Sequence, residues 1–433
     1  MDSYLMQPLR APITGDVVIP GSKSFTNRAL VMASLAEGRS VLDGISESVD
    51  SYKLVDALAQ LGIACHQDKD IVVVDGNSGW FSPRDCYINV DAAGTAMRFL
   101  TALCACVPGR IVLDGNERMR RDRPIKDLTD AVVQLGAPIQ TTLYGDSWGH
   151  PPLTISGGLI SGRNVRISGK KSSQFITALL LVAPLLPNGL DITVEGKQVS
   201  PSYIDMTIAG MKDFGVVVEN DGYQTYHVAP GQHYRATNYH IEGDASGASY
   251  LWSLAALTGS CVRVRNIHPS SCQGDATFPD ILGEMGCIVR KNSAEQWIEV
   301  QGQWPLRAVN VDMNSRPDTA QTLAVVAAFA QGKTTITGLS TLPDKESKRI
   351  EDMVEEFAKI GIQAQGDTDQ LVVEGGNPHG AVIEVHNDHR MAMSFAIAGT
   401  RVPGVVIQDP LVVGKSFPEF WDMLKRLGVR FAE

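Results

Sequence analysis

Repetition constrains this chain more than any single residue does. Six times in 433 residues it runs through a β-type strand, a polar turn, a helix of small apolar residues, a glycine and another strand. The copies read GDVVIPGSKSFTNRALVMASLAEGRSVLDG (15–44), INVDAAGTAMRFLTALCACVPGRIVLDG (88–115), VRISGKKSSQFITALLLVAPLLPNGLDITVEG (165–196), HIEGDASGASYLWSLAALTGSCVRVRN (240–266), VNVDMNSRPDTAQTLAVVAAFAQGKTTITG (309–338) and IEVHNDHRMAMSFAIAGTRVPGVVIQD (383–409). The glycines after the helices, Gly38, Gly109, Gly189, Gly259, Gly332 and Gly404, fall 70 to 80 residues apart. A second mark keeps step: Leu61-Gly62, Leu135-Gly136, Phe214-Gly215, Met285-Gly286, Ile360-Gly361 and Leu427-Gly428 each read as the end of a helix and the start of a strand. Such a unit cannot bury its apolar face alone, so the copies must pack on one another.

The helices of the repeat are apolar nearly all round, as in Ala29-Leu30-Val31-Met32-Ala33 and Thr177-Ala178-Leu179-Leu180-Leu181-Val182-Ala183. A helix without a polar face is buried. The strands before them alternate, which suits a sheet with one covered face. The polar stretch 230–238 is the nearest thing to a linker, with three copies before it and three after. The predicted architecture is therefore α/β in two similar halves, with helices inside and sheet around them, the reverse of a common α/β sandwich. If all six turns point one way, their polar residues converge where the halves meet, the kind of place ligand sites favour.

Those turns carry Lys23, Ser24 and Arg28; Gly94, Thr95 and Arg98; Ser172, Ser173 and Gln174; Asp244 and Ser246; Asp318; and Asp388, His389 and Arg390. Helix starts expose unpaired N–H groups and a partial positive charge, so a cluster of them with added Lys and Arg favours anions. As helix caps alone, the Ser, Asp and Thr residues would be accounted for. Lys23, Arg28, Arg98 and Arg390 would not.

A formal charge of −10 with no long basic run argues against nucleic acid as a partner. Basic residues gathered in motifs of an acidic chain point instead to a local pocket for a charged small molecule. The seven cysteines include no C-x-x-C pair, so they read as reduced thiols, neither a disulfide frame nor a metal site. No charged-then-apolar leader opens the sequence and the longest apolar run, 175–186, is interrupted by Pro184. The expectation is a cytoplasmic protein without a membrane span.

For chemistry the chain offers cations suited to phosphate or carboxylate (Lys23, Arg28, Arg98, Arg123, Arg349, Arg390, Lys415), hydroxyls and an amide for orientation (Ser24, Ser172, Ser173, Gln174, Ser200, Tyr203), and acids for proton transfer (Asp318, Glu346). It has no Walker P-loop, no G-x-G-x-x-G after a strand and no G-x-S-x-G. His389, between Asp388 and Arg390, reads more readily as a positioning residue than as a base. The inventory speaks for transfer chemistry on an anionic substrate without naming it.

At these same residues the chain resembles the enolpyruvyl transferases, most closely the 5-enolpyruvylshikimate-3-phosphate synthase family. The motifs occur in the family's order along essentially the whole chain: PGSKSxxNRAL at 20–30, AGTAMR at 93–98, RPI at 123–125, SSQFxTALL at 172–180, SxxYIDxT at 200–207, EGDASxASY at 242–250, DMNxxPDxAxT at 312–322, KExxR at 345–349, NDHRMAM at 387–393 and KSFPEF at 415–420. The resemblance implies the family's two-domain fold, an inside-out α/β barrel of six βαβαββ-type units, three per domain. Its domains would be 22–242 and 1–21 with 243–433, with the active site in the cleft between them.

The resemblance implies transfer of the enolpyruvyl group of phosphoenolpyruvate to the 5-hydroxyl of shikimate 3-phosphate, releasing phosphate, by a monomer using no metal or organic cofactor. Ser24, Arg28, Ser172, Ser173, Ser200, Tyr203, Asp318 and Lys345 would hold shikimate 3-phosphate. Lys23, Gly94, Arg123, Gln174, Arg349, Arg390 and Lys415 would hold phosphoenolpyruvate. Asp318 would take the hydroxyl proton, and Glu346, with Lys23 nearby, would protonate the methylene carbon. Four positions depart from the family's common pattern: Asp91 for Gly, Ala92 for Asn, Phe99 for Pro and Lys348 for Asp. Ala92 and Phe99 predict weakened inhibition by glyphosate, which in the family occupies the phosphoenolpyruvate site, and Lys348 reads as a solvated lysine. The alternative with the same chemistry, UDP-N-acetylglucosamine enolpyruvyl transferase, usually carries a cysteine in the loop before its R-P motif; here that loop, GNERMRRDR at 115–123, has four arginines and no cysteine. Another cyclic acceptor, or a non-catalytic anion-binding relative, is the remaining alternative.

Overall fold

The computed structural model describes residues 2–432 apart from 124, 146 and 159. The chain divides into two compact units, Lys23–Ile241 and Met1–Ser22 with Glu242–Glu433. Among the described residues, the strands form six four-stranded sheets, one per repeat and three per unit. In five of the six sheets two strands run parallel and a hairpin packs its returning strand antiparallel to the second of them, giving the order first, second, fourth, third. Alternate residues of the strands face inward: Val262 and Val264, Ile111 and Leu113, and Val72 and Val74 are all fully buried.

What they face is a set of three helices per unit. Lys23–Leu35, Gly94–Cys106 and Ser173–Val182 pack on one another in one unit. Ala245–Thr258, Ala320–Ala327 and His389–Gly399 do so in the other. Nearly every residue of these helices is buried, as their unbroken apolar surface requires. In the second set three hydroxyls meet at the helix contacts: Ser249 bonds Thr322 at 3.3 Å, and Thr322 lies 3.5 Å from Ser394. Each repeat adds one outer amphipathic helix. Arg349–Lys359, for example, buries Ile350, Met353 and Phe357 and exposes Glu351 and Glu355.

The two glycine marks of the sequence are backbone requirements. All twelve have φ between +68° and +118°, the left-handed region that residues with a Cβ enter only at a cost. Each lets a helix end and the chain turn directly into a strand.

The strand pairing departs from the boundaries of the sequence copies, in the sense that the assignment of 1–21 to the second domain implies. The strand before the first buried helix, Thr14–Val18, pairs parallel with Cys261–Arg265 of the fourth repeat, with Val17 opposite Val264. The strand before the fourth buried helix, Asn238–His240, pairs with Glu37–Asp43 of the first, with Tyr239 opposite Leu42. The first and fourth copies have therefore exchanged first strands, and the stretch 230–238 leads into a paired strand. Ser3–Gln7 supplies the fourth strand of the sixth sheet, between Val406–Gln408 and Arg430–Ala432. No helix among the described residues is long and apolar enough to cross a membrane.

Candidate active site

Three of the buried helices carry a polar side chain that satisfies N–H groups of the first turn. Ser172 caps Ser173–Val182 by accepting from the amide of Gln174, and Asp244 accepts from those of Ser246 and Gly247. Asp388 accepts from the Arg390 amide at 2.9 Å. For Ser172 and Asp244 the capping role visible here matches the ordinary N-cap preference. Asp388 does more.

In the unit Met1–Ser22 with Glu242–Glu433, Asp388 is fully buried and also takes Arg349, whose Nε lies 2.7 Å from it. The same guanidinium reaches Glu346 at 2.7 Å and Asp318 at 3.3 Å. Asp318, on a turn at Pro317–Thr319, further binds Arg390 at 3.0 Å and Lys345 at 3.4 Å. Glu346 is joined by Lys415 at 3.1 Å. Lys345, Glu346, Arg349, Arg390, Lys415, Asp318 and Asp388 thus form one network of four cations and three carboxylates, assembled from turns far apart in the chain.

The charges in this network are fixed by their neighbours. Burial alone would push the Asp318 carboxyl up, but Arg390, Lys345 and Arg349 outweigh it and hold the group well below the usual carboxylate range. Arg349 is buried, which disfavours its charge, yet Asp388, Glu346 and Asp318 more than restore it. Tyr250, whose hydroxyl lies 3.4 Å from Arg390, has its phenol pushed up to about 12, chiefly by burial. Asp275, 5% exposed and accepting from the Ser246 hydroxyl, is pushed up to about 7 by burial and then by the negative charge of Asp318.

In the unit Lys23–Ile241, Lys23 opens its helix and binds Asp50 at 3.0 Å. Arg28 is 2% exposed and donates to Thr207 Oγ1, the Ser24 carbonyl and the Tyr203 carbonyl, each at 2.8 Å, with Phe99's ring 5.6 Å below its guanidinium. It braces Ser24 and Tyr203, one turn of the chain against another. Gln174 donates to Thr95 at 3.2 Å, joining the starts of two buried helices. Ser173 and Ser200 are 4% exposed, and Ser200 adopts a left-handed φ of +51° ahead of helix Pro201–Asp213. Gly94 is pressed against Arg123: a Cβ at that position would meet the guanidinium nitrogens at 2.6 and 2.7 Å.

The loop at 115–123 forms a short helix, Glu117–Asp122, capped by Asn116. Arg118 and Arg121 reach Asp122, and Arg120 reaches Asp114. Arg123 is the one set against Gly94. Among the departures, Asp91 has φ +52°, a conformation glycine holds freely and Asp tolerates; Asn89 accepts from its amide at 2.8 Å. Lys348 is exposed and pairs within its own helix turn region with Glu351 at 3.2 Å, as a solvated lysine should. His389 is buried, its Nδ1 3.6 Å from Asp388.

Sequence reasoning passed over Asp50 and Asp275. Both belong to a second polar turn in each copy, between the second strand and the outer helix, which also supplies Arg123, Ser200, Lys345 and Lys415. That recurrence was the available signal.

Residues 9–424 match the sequence model of the family described as EPSP synthase (3-phosphoshikimate 1-carboxyvinyltransferase). A 3-phosphoshikimate 1-carboxyvinyltransferase of Trichormus variabilis is 39% identical over 423 residues, 97% of this chain and 98% of its own. One from Pectobacterium carotovorum is 40% identical over 434 residues, 98% and 99% of the two chains. A solved EPSP synthase of Acinetobacter baumannii superposes with a TM-score of 0.82 at 26% identity over the full length of both chains. With the repeat architecture, the charged network and these relatives in agreement, the chain belongs to the EPSP synthase family.

Proposed function

We propose that this chain is a 3-phosphoshikimate 1-carboxyvinyltransferase, moving the enolpyruvyl group of phosphoenolpyruvate to the 5-hydroxyl of shikimate 3-phosphate with release of phosphate. The observation that carries the reading is the Asp318 network, in which a carboxylate and a second acid, Glu346, share one buried arginine. Asp318 is the base: it takes the proton of the 5-hydroxyl as the oxygen attacks C2 of phosphoenolpyruvate. Glu346, with Lys23, delivers a proton to C3, giving a tetrahedral ketal. Loss of phosphate and of a methyl proton then restores the vinyl group.

The cations give the reaction its order. While they are taken up by carboxylates, Asp318 is a weak base, its proton affinity suppressed by three positive neighbours. A phosphoenolpyruvate anion binding to Arg349, Arg390 and Lys415, with Gly94, Arg123 and Gln174 as further ligands, competes for that charge. It raises the basicity of Asp318 and frees Glu346 when the substrate is present. Ser24, Arg28, Ser172, Ser173, Ser200, Tyr203 and Lys345 are assigned to shikimate 3-phosphate, Arg28 through its bracing of Ser24 and Tyr203. The reading includes a monomer working in the cytoplasm, and seven scattered cysteines without a C-x-x-C pair suit a reducing compartment.

Phosphate release measured with both substrates and with each alone tests the function. Release that requires both is expected; none at saturating concentrations of the pair overturns it.

A further inference from the structure

Seven residues after Arg349 on the same helix, and so on the same side of it, Glu356 is fully buried. Its carboxylate gathers three groups: Lys359 Nζ at 2.7 Å, His386 Nε2 at 2.8 Å and the Glu384 amide at 3.2 Å. The other ring nitrogen of His386 lies 3.7 Å from Asp352. Two residues past His386, Asp388 takes Arg349. Helix Arg349–Lys359 and the segment 384–388 are thus fastened twice, once within the charged network and once outside it.

Between the two fastenings, His386 and Asn387 have φ of +50° and +53°. Two consecutive non-glycine residues keep that conformation only where their surroundings hold them. Release of this turn would carry away Asp388, and with it both Arg349 and the first helical turn that bears Arg390. Glu356, Glu384 and His386 have ligand atoms within 4.8 Å of one another, close enough for a cation. The Lys359 ammonium already occupies that role on Glu356.

We propose that the Glu356–His386 pair is a positioning element of the phosphoenolpyruvate site, holding the left-handed turn at 386–387 so that Asp388 sets Arg349 and Arg390 together. This rests on the reading of those two arginines as phosphoenolpyruvate ligands. The test uses His386→Asn, which accepts a left-handed φ but is too short to reach Glu356, and His386→Gln, whose amide can replace Nε2 as donor. Arg349→Ala is the control. His386→Asn should raise KM for phosphoenolpyruvate about fivefold or more, leave kcat and KM for shikimate 3-phosphate within about twofold, and be largely rescued in His386→Gln.

An unchanged KM for phosphoenolpyruvate in folded His386→Asn, while Arg349→Ala raises it, overturns the proposal alone. So do equal losses in all three constants, which mark general loosening, or no rescue by glutamine. If Arg349→Ala itself leaves that KM unchanged, the assignment of the arginine falls and the proposal with it.

Discussion

Gly94→Ala separates binding from stability. Gly94 opens the buried helix Gly94–Cys106 and its φ is outside the range that demands glycine, so alanine is tolerated by the backbone. The new Cβ would lie 2.6 Å from Nη2, 2.7 Å from Nη1 and 2.8 Å from Cζ of Arg123. Non-bonded contacts of carbon begin near ~3.5 Å, so the guanidinium must withdraw by about 1 Å while the helix stays in place. Helix propensity favours alanine over glycine by roughly 0.5–1 kcal/mol, so the melting temperature should hold or rise. A hydrogen bond from Arg123 to an anionic ligand is worth about 1.5–3 kcal/mol, and its loss should raise KM for phosphoenolpyruvate roughly 10- to 150-fold. Steady-state kinetics at saturating shikimate 3-phosphate measure it. Because the effect runs through Arg123, Gly94→Ala combined with Arg123→Ala should be no worse than Arg123→Ala alone. Additive losses, or a KM within twofold of the parent, refute the reasoning.

Asp318→Asn and Glu346→Gln should each lower kcat by about 10²–10⁴-fold, with calorimetric binding of shikimate 3-phosphate kept in Glu346→Gln; full turnover in either removes that residue from the mechanism. Asp275, at about 7 in the folded protein against about 3.9 unfolded, takes up a proton on folding between those values. Its contribution to stability is therefore present at low pH and is lost as pH rises through about 7. Urea unfolding should show Asp275→Asn gaining on the parent by at least about 1.4 kcal/mol between pH 4.5 and pH 8, and a gap independent of pH contradicts the burial argument. Glyphosate should inhibit weakly, and Ala92→Asn alone should lower its inhibition constant about tenfold; an unchanged constant counts against Ala92 as the cause. Phe99→Pro is a poor companion variant, since proline inside helix Gly94–Cys106 costs ~3 kcal/mol and removes the ring beneath Arg28.

The residues of the charged network were legible as types before they were legible as partners. Asp318 and Arg390 stood out as charges at helix starts in otherwise apolar units, and Glu346 and Arg349 through the KExxR motif at 345–349. That Arg349 would be shared by Glu346, Asp318 and Asp388 was not legible, because 31 and 39 residues separate it from the last two. Nor could the sequence tell that Arg118, Arg120 and Arg121 are engaged by nearby carboxylates while Arg123 lies against Gly94. Arginines in one short run look alike until their neighbours in space are known.

What the sequence determined by itself is whatever depends on near neighbours. The twelve recurring glycines specify left-handed turns, the all-apolar helices specify burial, and strand alternation specifies a sheet with one covered face. Those features set the repeat, its number and the inside-out arrangement within each unit. Only tertiary structure decided which strand completes which sheet. Thr14–Val18 and Asn238–His240 each precede a buried helix, so nothing local to either distinguishes the sheet of the first copy from that of the fourth. The exchange between them, and the seating of Ser3–Gln7 in the sixth sheet, follow from which edge is open where the folded chain passes. That is a property of distance in space and not of spacing along the chain.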